Sequence, residues 1–211
     1  NAYQGGSVAV IKFGSFLVRN STFANNVASN CGGAIYAADG ATIDVNETYF
    51  TNNEVNSGIS TGKGGALCIR HPKVRATIRR CLFHQNRAIG IVNSEGGAIV
   101  ASSHALHPFT NLPLSTQVKD ISVLFIQQST FIANEAKKGG ALSSPSPVNI
   151  GTILLDDNSF RDNKAEEGKT FYGAAEQQIK FVTCPGGKFA PIATKVMEFG
   201  FEGCPDYCAA G

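Results

Sequence analysis

The sequence predicts an all-β fold, a parallel β-helix (solenoid) of about five to six coils, because one pair of motifs repeats along most of the chain. Gly-Gly pairs begin at five positions, and the last four read GGAI or GGAL: Gly5, Gly32, Gly64, Gly96 and Gly139. Each pair is followed by a Phe-x-x-Asn motif: Phe23/Asn26, Phe50/Asn53, Phe83/Asn86, Phe131/Asn134 and Phe160/Asn163. A fixed repeat of about 30 residues is typical of a solenoid.

Strand-like alternation precedes each phenylalanine. Five residues before it stand Val18, Val45, Ile78, Ile126 and Leu155. Seven residues before it stand Phe16, Ile43, Ala76, Leu124 and Ile153. Because side chains alternate between the two faces of a strand, this period of two predicts a strand that ends at a polar corner.

Stacked coils give both motifs a structural role. A single repeat of about 30 residues cannot bury its apolar face alone. Stacking successive repeats at roughly 4.8 Å places equivalent residues above one another. We therefore expect the five phenylalanines to stack in the interior and the five asparagines to form a hydrogen-bonded ladder at a turn. Gly-Gly permits backbone conformations that a Cβ would forbid. A phosphate-binding glycine loop is the alternative, but its repetition in every coil favours the structural interpretation.

The repeat also predicts the domain organisation. The fourth phenylalanine follows its Gly-Gly pair by 35 residues instead of about 18, and the excess, near residues 102–117, contains two prolines and is expected to be an inserted loop. We expect the β-helix to cover residues 1–182 and a small, incomplete Cys-rich segment to cover 183–211. Since the chain starts at Asn1 without a visible signal peptide, we expect a processed chain or a fragment.

Composition argues against two classes of partner. The formal net charge is only +2, so there is no general electrostatic case for nucleic acid. No apolar run approaches 18 residues, so no helix is expected to span a membrane directly. Low charge (16%) and 23 glycines suit a β-rich fold with many tight turns.

GGA[IL] paired with FxxN resembles the repeat signature of the chlamydial polymorphic membrane proteins (Pmp) and of related eukaryotic surface proteins. The resemblance covers about residues 5–173, with four full pairs and a degenerate first one. It implies a right-handed parallel β-helix at the cell surface, with adhesive or structural roles. The chain departs from bacterial autotransporters because no sequence of a C-terminal β-barrel is present.

The tail resembles the small Cys-rich repeats that often follow such β-helices in eukaryotic surface proteins. That pattern implies a disulfide between Cys184 and Cys204, with Cys208 paired beyond the given sequence. Zinc is the alternative, but a fourth ligand is hard to name. Cys31 and Cys68 are candidates for a bridge between coils, and Cys81, two residues before Phe83, is expected to be a small buried thiol. Six cysteines with such a tail favour an oxidising compartment.

Two N-glycosylation sequons occur, at Asn20 and at Asn46. Both asparagines fall at the polar corner before a phenylalanine, where a side chain should face solvent. We therefore expect both to carry glycans if the protein is eukaryotic, and to be unmodified turn residues if it is bacterial.

No residue pattern predicts catalysis, and no cofactor or metal is expected. Polysaccharide-cleaving β-helices need clustered carboxylates, yet Asp44 aligns with Leu17 and Thr77, and Glu54 aligns with Val27 and Arg87. The histidines do not form a recognisable triad or ligand set. One basic segment within a single coil is a candidate patch for an anionic ligand: Arg70, Lys73, Arg75, Arg79 and Arg80.

These observations predict an extracellular or cell-surface structural or adhesive module rather than an enzyme. We expect its partners to be other protein subunits or flanking segments of a longer chain, and acidic glycans are a further candidate. The alternatives are a β-helical polysaccharide lyase or hydrolase and a glycan-binding module that uses the basic third coil.

Overall fold

The computed structural model describes residues 2–58, 60–70, 73–102, 122–145, 150–173 and 179–183. The expected inserted loop, apart from Ser102, and the Cys-rich tail with Cys184, Cys204 and Cys208 lie outside the described residues, as do His71, His104 and His107. Within the described residues the regular structure consists of β-strands, with no helix.

The strands form four sheets, and every pairing between strands is parallel. The first sheet contains β1 (Ala2–Gln4), β5 (Val27–Cys31), β9 (Glu54–Ser57), β10 (Gly62–Lys63), β14 (Arg87–Gly90) and β15 (Ser94–Glu95). The second contains β2 (Val8–Val10), β6 (Ile35–Ala38), β11 (Leu67–Arg70), β16 (Ile99–Ser102), β19 (Leu142–Ser144) and β22 (Phe171–Gly173).

The other two sheets continue the same path. The third contains β3 (Ser15–Arg19), β7 (Thr42–Asn46), β12 (Arg75–Arg79), β17 (Ser122–Gln127), β20 (Ile150–Asp156) and β23 (Ile179–Thr183). The fourth contains β4 (Thr22–Ala24), β8 (Tyr49–Thr51), β13 (Leu82–His84), β18 (Thr130–Ile132) and β21 (Ser159–Arg161). Because the chain visits the sheets in the same cyclic order and pairs in register with its previous turn, the fold is a parallel β-helix, as the sequence predicts.

Six coils are numbered here from the glycine that opens each: coil 1 from Gly5, coil 2 from Gly32, coil 3 from Gly64, coil 4 from Gly96, coil 5 from Gly139 and coil 6 from Gly168. The sixth start departs from the Gly-Gly motif, because Lys169 replaces the second glycine. Gly168 nevertheless has a positive φ, +62°, like the other opening glycines, and β22 and β23 follow it.

The two glycines of each pair are required for different reasons. The first adopts a left-handed backbone; Gly32, for example, has φ +67°. The second lies against the next coil, and a Cβ on Gly33 would be 2.0 Å from the carbonyl oxygen of Gly65. A side chain at either position would therefore prevent the coils from closing on each other.

Polar corners bend the chain before and after each phenylalanine strand. The residue three before Phe has a positive φ in all five repeats: Asn20, Glu47, Arg80, Gln128 and Asp157. The residue two after Phe does the same: Asn25, Asn52, Gln85, Ala133 and Asp162. A single left-handed residue turns the chain sharply from one sheet into the next, so these corners set the cross-section of the coil.

The interior is a continuous apolar core whose layers repeat from coil to coil. The phenylalanine rings of coils 1–5 stack almost parallel, with neighbouring centroids 5.1, 4.7, 4.7 and 5.0 Å apart. Phe50, Phe83 and Phe131 are fully buried, whereas Phe23 is half-buried. The spacing of the rings matches the separation of paired strands, so the stack and the sheets share one repeat.

Replacing Phe83 with alanine should destabilise the fold strongly, because its ring is fully buried between Phe50 and Phe131. We expect a loss of about 3–5 kcal/mol in the free energy of unfolding, measured by denaturant titration. Leu17→Ala is the matched control, since Leu17 is 58% exposed and should change stability by about 0.5 kcal/mol or less. Equal losses in the two variants would contradict the stacked core.

Candidate functional site

The Phe-x-x-Asn asparagines form a hydrogen-bonded ladder along one corner of the solenoid. In each step the side-chain Nδ2 donates to the Oδ1 of the asparagine in the next coil, at 2.8, 2.9, 3.0 and 3.0 Å from Asn26 to Asn163. The backbone N–H of the same residue donates to that same Oδ1, at 3.0–3.1 Å. The amide of one asparagine therefore satisfies two donors of the coil before it.

The interior ladder residues use all of their hydrogen-bonding capacity. The second Nδ2 hydrogen of Asn86 goes to the backbone carbonyl of Phe50, at 2.9 Å, and Asn53, Asn134 and Asn163 make the equivalent bond. Asn53, Asn86 and Asn134 are fully buried. A buried amide is costly unless its donors and acceptors are paired, so the ladder stabilises one register of the coils.

A second polar column lies two residues before each phenylalanine: Ser21, Thr48, Cys81, Ser129 and Asn158. Ser129 connects two coils, because its Oγ accepts from the backbone N–H of Cys81 and its own N–H donates to Oδ1 of Asn158. Cys81 is buried and free, and its Sγ lies 3.1 Å from the backbone carbonyl of Arg79. The expected small buried thiol is therefore found, and burial raises the pKa of Cys81 to about 11.

Opposite charges on the outer surface meet between neighbouring coils. Five cations and six acids make these contacts, at N···O distances of 3.1–4.0 Å: Arg80–Glu47, Arg79–Asp44, Arg87–Glu54, Arg87–Glu135, Lys63–Glu95 and Lys138–Glu167. Each exposed pair contributes little free energy, but a shift of one coil along the next would separate these opposite charges. These contacts therefore favour the observed register.

The basic segment of coil 3 is largely opposed by acids of coil 2. Arg80 lies 3.1 Å from Glu47, and Arg79 lies 4.0 Å from Asp44 and also above the Phe125 ring. Arg70 and Lys73 also make contacts. Arg75 is exposed on the outer face of β12, with no ion-pair partner among the described residues. The five cations consequently do not form one unpaired positive surface.

A disulfide between Cys31 and Cys68 joins the end of coil 1 to the start of coil 3, which resolves a pairing that the sequence leaves open. The two Cα atoms are 5.6 Å apart. Around the bridge, Tyr36, Ala38 and Val100 form a small buried cluster on the outer face of the second sheet. Burial raises the pKa of the Tyr36 phenol. The bridge therefore joins the coils covalently on the outer face of the second sheet, away from the interior core.

The two sequon asparagines have different surroundings. Asn20 is exposed at a corner and has φ +46°. Asn46 is less exposed than Asn20, since it is half-buried and its Oδ1 accepts a hydrogen bond of 3.4 Å from Arg80 Nη2. Asn20 is therefore the more open of the two attachment points.

The part of the chain that the structure describes contains no group of three or more His, Cys, Asp or Glu side chains that could hold a metal ion. His84 is half-buried on β13. Among the described residues, no helix has the length and apolarity needed to cross a membrane.

Removing one rung should show what the ladder contributes. Asn86→Ala leaves the N–H and Nδ2 of Asn53 without their shared acceptor in a buried site, so we expect a loss of about 2–4 kcal/mol in the free energy of unfolding. Asn56→Ala is the control: its amide makes one exposed contact with Glu54, and the cost should be about 0.5 kcal/mol or less. If Asn86→Ala is as stable as the control, the ladder is not a stabilising element.

Cys81 should make the protein less stable in alkali. The folded-state pKa of about 11 lies above the thiol's ordinary value of 9.0, so the stability that the buried neutral thiol contributes is fully present below pH 9 and is lost as the pH rises through 11. The loss should reach about 2–3 kcal/mol, measured by denaturant titration from pH 7 to pH 11. Cys81→Ser, which cannot ionise in this range, should lack this part of the alkaline loss. Identical pH profiles for the two proteins would refute the assignment.

Comparison with known proteins agrees with this geometry. A family model described as "right handed beta helix region" matches residues 6–184. No curated protein and no solved structure is significantly similar to the chain. The family match covers most of the chain and the strands coil in the same order throughout, so the protein belongs to the right-handed β-helix family.

Proposed function

We propose that this chain is a structural or adhesive β-helix module of the extracellular space or cell surface, and that it is not an enzyme. The observation that carries this proposal is that most of the paired charged side chains contact an opposite charge on a neighbouring coil. Six contacts between opposite charges connect neighbouring coils, and the interior is filled by the phenylalanine stack and the asparagine ladder. Its polar and aromatic residues thus serve mainly to hold the coils together.

Two features favour an exterior location. The Cys31–Cys68 bridge is of the kind that persists in oxidising compartments. Asn20 lies exposed within a sequon, at a place where a glycan would extend into solvent. A disulfide-joined, glycosylated β-helix suits a stiff spacer that makes contacts through its outer surface and its ends.

The repeat supports a finer assignment. The GGA[IL] and FxxN motifs occupy equivalent positions in successive coils, where the glycines allow the coils to approach and the Asn–Phe pair holds them in register. This correspondence supports a kinship with the Pmp-like repeat proteins, whose roles are adhesive or structural. Partners in this proposal are other protein subunits or flanking segments of a longer chain.

A depolymerisation and binding assay tests the function. The disulfide-bonded protein is incubated with polygalacturonate, alginate, xylan and hyaluronan, with and without Ca²⁺, and new reducing ends are measured. We expect no cleavage, because four of the described acids, Asp44, Glu47, Glu54 and Glu135, face arginines of neighbouring coils, and no group of three or more described His, Cys, Asp or Glu residues could hold a metal ion. Cleavage of any of these polymers, at a rate above that of a heat-unfolded control, would establish the enzyme instead.

The same sample is passed over immobilised heparin beside Arg75→Glu. Since Arg79 and Arg80 already face acids, we expect weak retention that does not depend on Arg75. Strong retention that Arg75→Glu abolishes, while the unfolding midpoint stays unchanged, would replace the structural proposal with a glycan-binding module.

A further inference from the structure

One side of the solenoid carries an overhang, because the loops between the ladder asparagine and the next opening glycine differ in length. Ten residues lie between Asn53 and Gly64, and nine between Asn86 and Gly96. Only four lie between Asn134 and Gly139, and four between Asn163 and Gly168. The loops of coils 2 and 3 consequently project beyond those of coils 4 and 5.

Among the described residues, the short loop of coil 4 is hydrogen-bonded to coil 3 at its two ends. On one side the N–H of Ala88 donates to the carbonyl of Glu135 at 2.9 Å. On the other side the N–H of Lys137 donates to Ser94 Oγ at 2.8 Å, and the N–H of Lys138 donates to the Ser94 carbonyl at 2.9 Å. Residues 89–93 of coil 3 lie between these points, and no strand among the described residues pairs with them on the coil 4 side.

The space below the overhang is a cleft of about 370 Å³. Ile89, Gly90 and Ser94 line it from coil 3, and Ala136 and Ala165 line it from the short loops of coils 4 and 5. The charged residues that line it are Arg87, Glu135, Lys137, Lys164 and Glu166. Arg87 and Glu135 contact each other at 3.4 Å, whereas the other three have no ion-pair partner among the described residues. The cleft therefore combines a small apolar surface with a modest excess of unpaired cations.

We propose that this cleft binds an extended peptide, which adds to the edge of β14 as a further strand. The opposite edge of β14 already pairs with a parallel strand: β9 of coil 2 runs beside it from Arg87↔Glu54 to Gly90↔Ser57. The N–H of Ala88 points towards coil 4, so by the alternation of a strand the N–H and C=O of Gly90 point the same way. Backbone groups at an open strand edge are the feature that peptides recognise by strand addition.

The side chains around the cleft define the class of peptide. Alanine at positions 136 and 165 leaves room for a β-branched apolar side chain directed into the cleft. Lys137 and Lys164 favour a carboxylate on the opposite face of the peptide. Ile91 and Val92, 70% and 71% exposed at the tip of the overhang, extend the apolar contact. The ligand is thus a short extended segment of alternating β-branched and polar residues with one acid.

The probe is the capped peptide acetyl-Thr-Val-Asp-Val-Thr-amide, titrated into the ¹⁵N-labelled full chain and followed by amide chemical shifts. We expect shifts confined to residues 88–94, 135–137 and 164–166. Because alternate residues of a strand present N–H to opposite sides, N-methylation of one alternate set of peptide residues should weaken binding at least tenfold. N-methylation of the other set should have a much smaller effect. Equal affinities of the two N-methylated peptides would overturn strand addition.

A variant that fills the cleft provides a second test of peptide binding. Ala165→Phe should abolish the shifts, and Ala24→Phe, on the exposed face of β4, should leave them unchanged. Both variants are first compared with the parent by thermal unfolding, and the double change Lys137→Glu/Lys164→Glu replaces Ala165→Phe if the latter unfolds early. That charge reversal should weaken this acidic peptide at least threefold and should strengthen the analogue with Lys in place of Asp. Peptide shifts at other residues, or shifts in the cleft with cellopentaose but not with the peptide, would refute the proposal.

Discussion

Stacking identical side chains at the separation of paired strands is the constraint on which the rest of this structure depends. Each coil contributes one strand to each sheet, so its backbone hydrogen bonds and its stacked side chains are completed by the coil above and the coil below. The Phe rings meet the apolar requirement at 4.7–5.1 Å. The asparagines meet the polar one, since Asn86 accepts from Asn53 and donates to both Asn134 and Phe50. Register is thereby defined twice, by packing and by hydrogen bonds.

The outer surface is free to vary once the interior is fixed. Corners with left-handed residues recur in coils 1–5, yet the loops after the ladder range from four to ten residues. Long loops cost little extra closure entropy, so they are tolerated where they lie outside the stack. In coils 2 and 3 they pair with each other and form the overhang. The repeated interior is thus combined with an outer surface whose loops differ in length on one side.

Spacing alone was sufficient to predict the fold, because Phe23 to Phe160 and Asn26 to Asn163 recur with the period of a coil. A sixth coil lies within the predicted five to six, but the sequence does not identify its start at Gly168, since Lys169 replaces the second glycine of the motif. The Cys31–Cys68 bridge cannot be chosen from the sequence alone, because Cys31 precedes one glycine pair and Cys68 follows the next. The coiling of the chain brings their Cα atoms to 5.6 Å. The cleft was overlooked as well, although the loop lengths after Asn86 and Asn134 contain its signal.

Amide hydrogen exchange tests the central claim most directly. The backbone N–H groups of Asn26, Asn53, Asn86 and Asn134 bond to a side-chain oxygen, so only an intact ladder protects them in this way. We predict that the amides of Asn53, Asn86 and Asn134 exchange only through global unfolding, as slowly as those of the buried strand residues Val45 and Ile78. Exchange of these three amides as fast as that of the exposed Ile91 and Val92 would contradict the account.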